Sequence, residues 1–205
     1  MAPEEEVHAL ASLKPQNIPA IGRLLAEVRP EWIWQAVDQE RWHCSILLHL
    51  EHQQQLDRVK AIAQTTPAFD VELTGAFLSR VERIKEAEVY CIGLGLRSCG
   101  LAAFRKAWLA PIQEEGLRKR HVPYEGDGHL SLAYIHGRHV EAAATLVRRL
   151  DDEISNNKRL HRLHVAEIWL RRVDPSTAKI VPGGLSAIPL GKRGLAPAFF
   201  LNICI

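Results

Sequence analysis

Paired cysteines, a surplus of one charge and a long apolar run are all missing from this 205-residue chain, and each absence removes a class of function. Its four cysteines, Cys44, Cys91, Cys99 and Cys204, make no C-x-x-C pair and are too sparse for a disulfide scaffold. The opening Met1-Ala2-Pro3-Glu4-Glu5-Glu6 has no basic, apolar leader. Together these predict an intracellular protein, cytoplasmic in the first place, with a nuclear location also compatible. Lys and Arg number 26 against 24 Asp and Glu, for a formal charge of +2, so nothing in the balance calls for a nucleic-acid coat or an anionic membrane surface. A small anionic substrate stays compatible. No apolar stretch approaches the roughly 20 residues that span a bilayer, and the tail Phe199-Phe200-Leu201-Asn202-Ile203-Cys204-Ile205 is far too short.

Phosphate-loop and metal fingerprints are missing as well. Gly93-Leu94-Gly95 lacks the downstream spacing of a dinucleotide or Walker loop and reads as a strand end. Among ten histidines, the pairs His49/His52, His136/His139 and His161/His164 have i,i+3 spacing without a convincing third ligand. The expectation is an enzyme with no metal and no cofactor. The basic run Arg118-Lys119-Arg120-His121 reads as a solvated helix end ahead of a turn, with phosphate attraction as its rival.

What is present is a tetrapeptide that occurs twice: His43-Cys44-Ser45-Ile46 and His129-Leu130-Ser131-Leu132. Both copies stand in strand-like surroundings, where residues i and i+2 share a face. Each can therefore project an imidazole and a hydroxyl together while the residue between packs behind. Two such sets suit phosphate chemistry: one histidine takes a proton, the other gives one, and two hydroxyls donate to phosphate oxygens. A single His-x-Ser would mean little, since a strand histidine is more often a packing residue.

The surrounding pattern predicts strands at 7–13, 32–50 around the first motif, 69–81, 88–96, 129–135 and 163–173, with an edge strand within 179–190. Helices are predicted at 18–28, 51–63, 100–115, ended by Gly116, and 139–152. Leu101, Phe104, Trp108 and Ile112 form the stripe of the third. Trp42 reads as core. Strand-helix-strand sections then carry the two motifs at corresponding places, which implies a pseudo-symmetric α+β protein with two lobes around a cleft.

These residues resemble the two-histidine (2H) phosphoesterase superfamily, and most nearly its cyclic nucleotide phosphodiesterase and 2′-5′ RNA ligase-like branch. The likeness rests on the two motifs, on Pro123-Tyr124 shortly before the second, and on Tyr134 closing it. Relatives often carry threonine where this chain has Ser45, and proline where it has Gly128, which adds backbone freedom beside the motif. The resemblance implies a bilobal fold of two antiparallel sheets around a central cleft, with helices outside, over residues 1–191, and leaves 192–205 as a tail of unknown role.

It also implies His43 and His129 as catalytic residues, and Ser45, Ser131, Tyr134 and Tyr124 as substrate contacts. By periodicity Tyr134 falls on the opposite face from His129, so a direct role needs a bulge. The implied reaction is metal-independent hydrolysis of a 2′,3′-cyclic phosphodiester on a nucleotide, an ADP-ribose derivative or a short RNA end, with no obligate protein partner. Rival readings are cleavage or ligation of oligonucleotide linkages, such as 2′-5′ bonds, RNA 3′ ends or cyclic oligonucleotide signals, and a non-catalytic RNA-binding module.

Overall fold

A computed structural model describes residues 6–13, 18–35, 37, 42–82, 87–122, 128–156, 162–173, 181 and 186–191. Tyr124, Pro123, His161 and the 192–205 tail lie outside these residues. In chain order the elements are β1 (Glu6–Ser12), α1 (Pro19–Glu27), β2 (Ile33–Gln35), β3 (His43–Leu50), α2 (Gln53–Thr65), β4 (Phe69–Arg80), β5 (Val89–Arg97), α3 (Cys99–Leu109), α4 (Glu115–His121), β6 (Gly128–His136), α5 (Val140–Asn156), β7 (Arg162–Val165), β8 (Glu167–Val173) and β9 (Ala187–Pro189). Among the described residues no helix is long and apolar enough to cross a membrane.

Local chemistry accounts for most of these boundaries. Pro19 opens α1, where its missing N–H costs nothing. Ala143, Leu146, Val147, Leu150 and Ile154 recur at helical spacing and are the residues α5 buries. The Ser98 hydroxyl caps α3 by accepting the Gly100 N–H, and it donates in turn to the Asp70 carbonyl at 2.7 Å. That helix stops at Leu109 rather than at 115, because Pro111 can neither donate nor leave room for a preceding helical turn. Gly116, expected as its terminator, sits inside the separate helix α4. The predicted stripe holds for Leu101, Phe104 and Trp108, while Ile112 packs on the core from beyond the helix end.

The strands run β7-β4-β5-β6-β3-β1-β8-β9, with β2 also paired to β6, and every strand pair is antiparallel. Two four-strand halves, β7-β4-β5-β6 and β3-β1-β8-β9, meet at one residue pair, Cys44 with Leu130. The result is a curled antiparallel sheet backed by helices, the two-lobed α+β layout expected from the resemblance. The core lies between sheet and helices: Cys44, Ile46, Leu130 and Ile168 from strands meet Leu24, Val59, Phe104 and Leu150 from α1, α2, α3 and α5.

One predicted strand divides. Residues 163–173 form β7, which pairs with β4 in one half, and β8, which pairs with β1 in the other. The chain changes halves at Ala166, where the buried positions switch from Leu163 and Val165 to Ile168 and Leu170. A continuous strand cannot bury both sets on one face, since its side chains alternate.

Candidate functional site

The two halves touch at the centre of the two His-x-Ser motifs. Cys44 pairs with Leu130, so antiparallel counting sets His43 across from Ser131 and Ser45 across from His129. Cys44 and Leu130 are both 0% exposed, while His43, Ser45, His129 and Ser131 are half-buried on the opposite face of the pleat. Each imidazole thus has the other motif's hydroxyl as its cross-strand neighbour. Ser12 on β1 stands opposite His43 on the far side.

Close approach of the strands sets the residue before the second motif. A Cβ on Gly128 would lie 2.4 Å from the Cys44 Sγ, so glycine there admits β3 rather than loosening the backbone. On β5, Gly93 stands opposite Ser131, and a Cβ on it would come within 2.4 Å of the Phe77 ring. Phe77 uses that space to reach His129 edge-to-face, with ring centroids 6.2 Å apart at 68°.

Each motif ends in a bulge at its fourth residue. Against β5, Ala133 pairs with Ile92 and Ser131 with Gly93, which leaves Leu132 as the extra residue. Against β1, Leu47 pairs with Ala9 and Ser45 with Leu10, which leaves Ile46. Both bulges place two buried residues in succession, Leu132-Ala133 and Ile46-Leu47, and so reverse the alternation that follows. Tyr134 consequently shares the face of His129 and Ser131, and its hydroxyl donates to the Ser131 Oγ at 3.3 Å. The Cys91 thiol reaches the same oxygen at 3.4 Å.

Behind the first bulge lies Arg105 of α3, 2% exposed. Its Nη2 donates to the Ser45 carbonyl at 2.9 Å and its Nε to the Ile46 carbonyl at 3.2 Å. A buried guanidinium that satisfies two bulge carbonyls holds the strand in its bent shape. Burial pushes the Cys44 thiol up to about 11, against the smaller opposing effects of Arg105 and a hydrogen bond with the His129 backbone. Cys44 is therefore a protonated packing residue at neutral pH rather than a nucleophile.

Among the described residues, several histidines of the pairs read from spacing do other work. His52 caps α2 in a box with Gln55. His139 stacks on Trp32, with centroids 6.0 Å apart. His164 pairs with Asp70 at 2.9 Å. His49 instead joins Glu6 and His8: its Nδ1 is 2.6 Å from the Glu6 Oε2, and the His8 Nε2 is 3.6 Å from that same oxygen. Burial, then the His49 charge, lower His8 to about 4, against the pull of Glu6 and with a small further push from His43. Alternate residues on β1 supply Glu6 and His8, and only the pairing of β1 with β3 brings His49 to them, so spacing along the chain carried no sign of the trio. Arg118, Lys119 and Arg120 end α4 as a solvated run, with Lys119 bonded to Glu115 and Arg120 to Glu51. His121 departs from that reading, being buried with its Nδ1 on the Leu48 carbonyl at 2.9 Å.

No protein family and no curated protein matches the chain. Solved structures do. The chain is similar to the apo form of E. coli LigT at a TM-score of 0.53 and 13% identity, over 92% of this chain and 99% of that one. It is similar to TT0787 of Thermus thermophilus at a TM-score of 0.53 and 14% identity, again over 92% and 99%. A third structure, described as a phosphoesterase, matches at 0.52 and 13% over the same shares. At these identities the likeness is one of fold alone: the chain shares the fold of LigT and TT0787 over nearly its whole length.

Proposed function

We propose that the chain is a phosphoesterase that opens a 2′,3′-cyclic phosphodiester on a nucleotide, an ADP-ribose derivative or an RNA end. The observation that carries this reading is the pairing of the two motifs through Cys44 and Leu130, which turns two imidazoles and two hydroxyls to one half-buried face. LigT, whose fold the chain shares, has been solved with ATP, with phosphate and with 3′-AMP. Those ligands support a nucleotide or its phosphate as the ligand of this chain.

In this scheme one of His43 and His129 takes a proton from water as it attacks phosphorus. The other gives a proton to the ribose oxygen as its bond to phosphorus breaks, leaving a phosphomonoester. An imidazole with an ordinary pKa near 6.5 can serve either role near neutrality. Ser45 and Ser131 donate to the non-bridging oxygens, which gain charge in the transition state. The Tyr134 hydroxyl steadies Ser131 and contacts substrate, and Tyr124, outside the described residues, is assigned to the nucleobase. By analogy with the family the ring opens at the 3′ oxygen to leave a 2′-phosphate. The chemistry of the pair requires no metal, and residues 1–191 are the unit that carries it.

The test is chromatography or phosphorus NMR of chelator-treated protein with 2′,3′-cyclic AMP, ADP-ribose 1″,2″-cyclic phosphate and a short RNA ending in a cyclic phosphate. Ring opening by the wild type, lost in His43→Ala and in His129→Ala, is the expected result. Undiminished turnover in either variant rejects the two-histidine mechanism. Failure on all three substrates turns the reading to oligonucleotide linkages or to a binding module.

A further inference from the structure

We propose that Glu6, His8 and His49 form a binding site for one divalent transition ion of the zinc class, on the sheet face that carries His43 and Ser45. The shared face follows from β1, where Leu10 pairs with Ser45 and Ser12 with His43, so that alternate residues Glu6 and His8 point the same way.

Three observations converge on the trio. The first is the donor geometry. One ligand atom from each side chain lies within 4.8 Å of the others, and two of the separations are 2.6 and 3.6 Å. Zinc bonds of about 2.0–2.1 Å in a tetrahedron set neighbouring donors roughly 3.3 Å apart, so side-chain adjustments of the size of a rotamer wobble complete the set. Among the described residues no other group of three has this proximity.

The second is the backbone of His49, the one described non-glycine residue at positive φ, 54°. Between the pairs Val7 with Leu50 and Ala9 with Leu47, β3 carries Leu48 and His49 against His8 alone. This is a further bulge, of the kind whose left-handed residue is ordinarily glycine. A histidine held there at a conformational cost points to a use for its imidazole, and the bulge brings that ring to 5.5 Å from the ring of His8.

The third is His8 itself. Its Nε2 is buried and has no hydrogen-bond partner, with 14% of the side chain exposed. The Glu6 oxygen 3.6 Å away is an ion-pair neighbour rather than a close hydrogen-bond acceptor, and that separation is near the one two ligands of a shared ion would have. Two imidazoles and one carboxylate with an open fourth position suit zinc and its nearest neighbours in the transition series. Magnesium and calcium, which take oxygen ligands, fit poorly. The site draws on none of the four groups of the His-x-Ser motifs, although its charge would be felt at His43, which already acts electrostatically on His8.

The experiment uses the full chain stripped with chelator. Zinc is titrated by calorimetry and by thermal unfolding, and cobalt(II) by its visible d–d absorption. One ion per chain, a raised melting temperature and a tetrahedral cobalt spectrum are expected. His49→Gly suits the left-handed backbone while deleting a ligand, so it is expected to keep or raise apo stability. It should weaken zinc binding by more than the 10–100-fold that loss of an outer-shell partner costs. Glu6→Gln keeps size and removes the charge, and should weaken binding comparably, which covers the case of a His49 variant that folds poorly. Wild-type protein that takes up no zinc, or zinc uptake unchanged in both variants, overturns the proposal and leaves the trio as a hydrogen-bonded cluster.

Discussion

Strands β3 and β6 each present histidine, a buried residue and serine ahead of a one-residue bulge, at Ile46 and at Leu132, yet what stands around each bulge is different. Around β3 the neighbours are polar and charged: Arg105 holds the Ser45 and Ile46 carbonyls from behind, and Glu6, His8 and His49 lie farther along the motif face. Around β6 they are aromatic and soft: Phe77 meets His129 edge-on, and the Tyr134 hydroxyl and Cys91 thiol converge on Ser131. Five residues beyond the histidine, β6 has Tyr134 where β3 has Leu48. Repetition therefore supplies the four polar groups, and unrepeated neighbours make the two histidines inequivalent. In the proposed reaction the attacking and leaving oxygens already differ, and the unlike surroundings give each histidine a second reason to favour one role.

The sharpest way to break this comparison is to remove each histidine in turn. His43→Ala and His129→Ala should each cut turnover by about 10²–10⁴-fold, with circular dichroism unchanged because both side chains are half-buried. Each should also erase a different limb of the pH profile of kcat/KM. The same limb lost in both variants would make the two halves functionally alike.

Arg105→Met tests the polar half alone. It strips charged donors from two buried carbonyls and should lower stability by about 1.5–3 kcal/mol in denaturant unfolding. Gly93→Ala tests the aromatic half. Its methyl group would collide with Phe77, so a destabilisation of about 1–3 kcal/mol is expected, together with reduced turnover as the ring leaves His129. Unchanged stability and activity in the Gly93→Ala variant would show that the Phe77 contact is incidental. Tyr134→Phe has the smallest expected effect: loss of one hydroxyl contact, about 0.5–1.5 kcal/mol, read as a decrease of up to about tenfold in kcat/KM. No equivalent loss exists on β3, because Leu48 has no hydroxyl to remove.

Several of these features were legible beforehand and others were not. The helices at α1 and α5, the strands at β4 and β5 and the strand character of both motifs follow from periodicity and emerge close to where the pattern puts them. The end of α3 at Leu109 was also within reach, since Pro111 forbids the longer helix expected from the apolar stripe. The switch at Ala166 was written in the change of buried phase between Val165 and Ile168, but a strand read by composition alone runs straight through it. The bulges at Ile46 and Leu132 have no such mark, because an extra residue is defined only against a partner strand. Tyr134 shows the consequence: regular alternation assigns it to the wrong face, and the bulge returns it to Ser131.

Local backbone geometry determined, from the sequence alone, that each motif would show an imidazole and a hydroxyl on one side of a strand, since a period of two is a property of any extended chain. Which strands would lie together was decided only in the tertiary structure. Packing of the sheet against its helices sets Cys44 on Leu130, draws Phe77 into the space left by Gly93, and gathers Glu6, His8 and His49 from two strands. Those contacts join residues far apart in the chain. Their register is set by which faces can be buried together, a quantity that no short stretch of sequence contains.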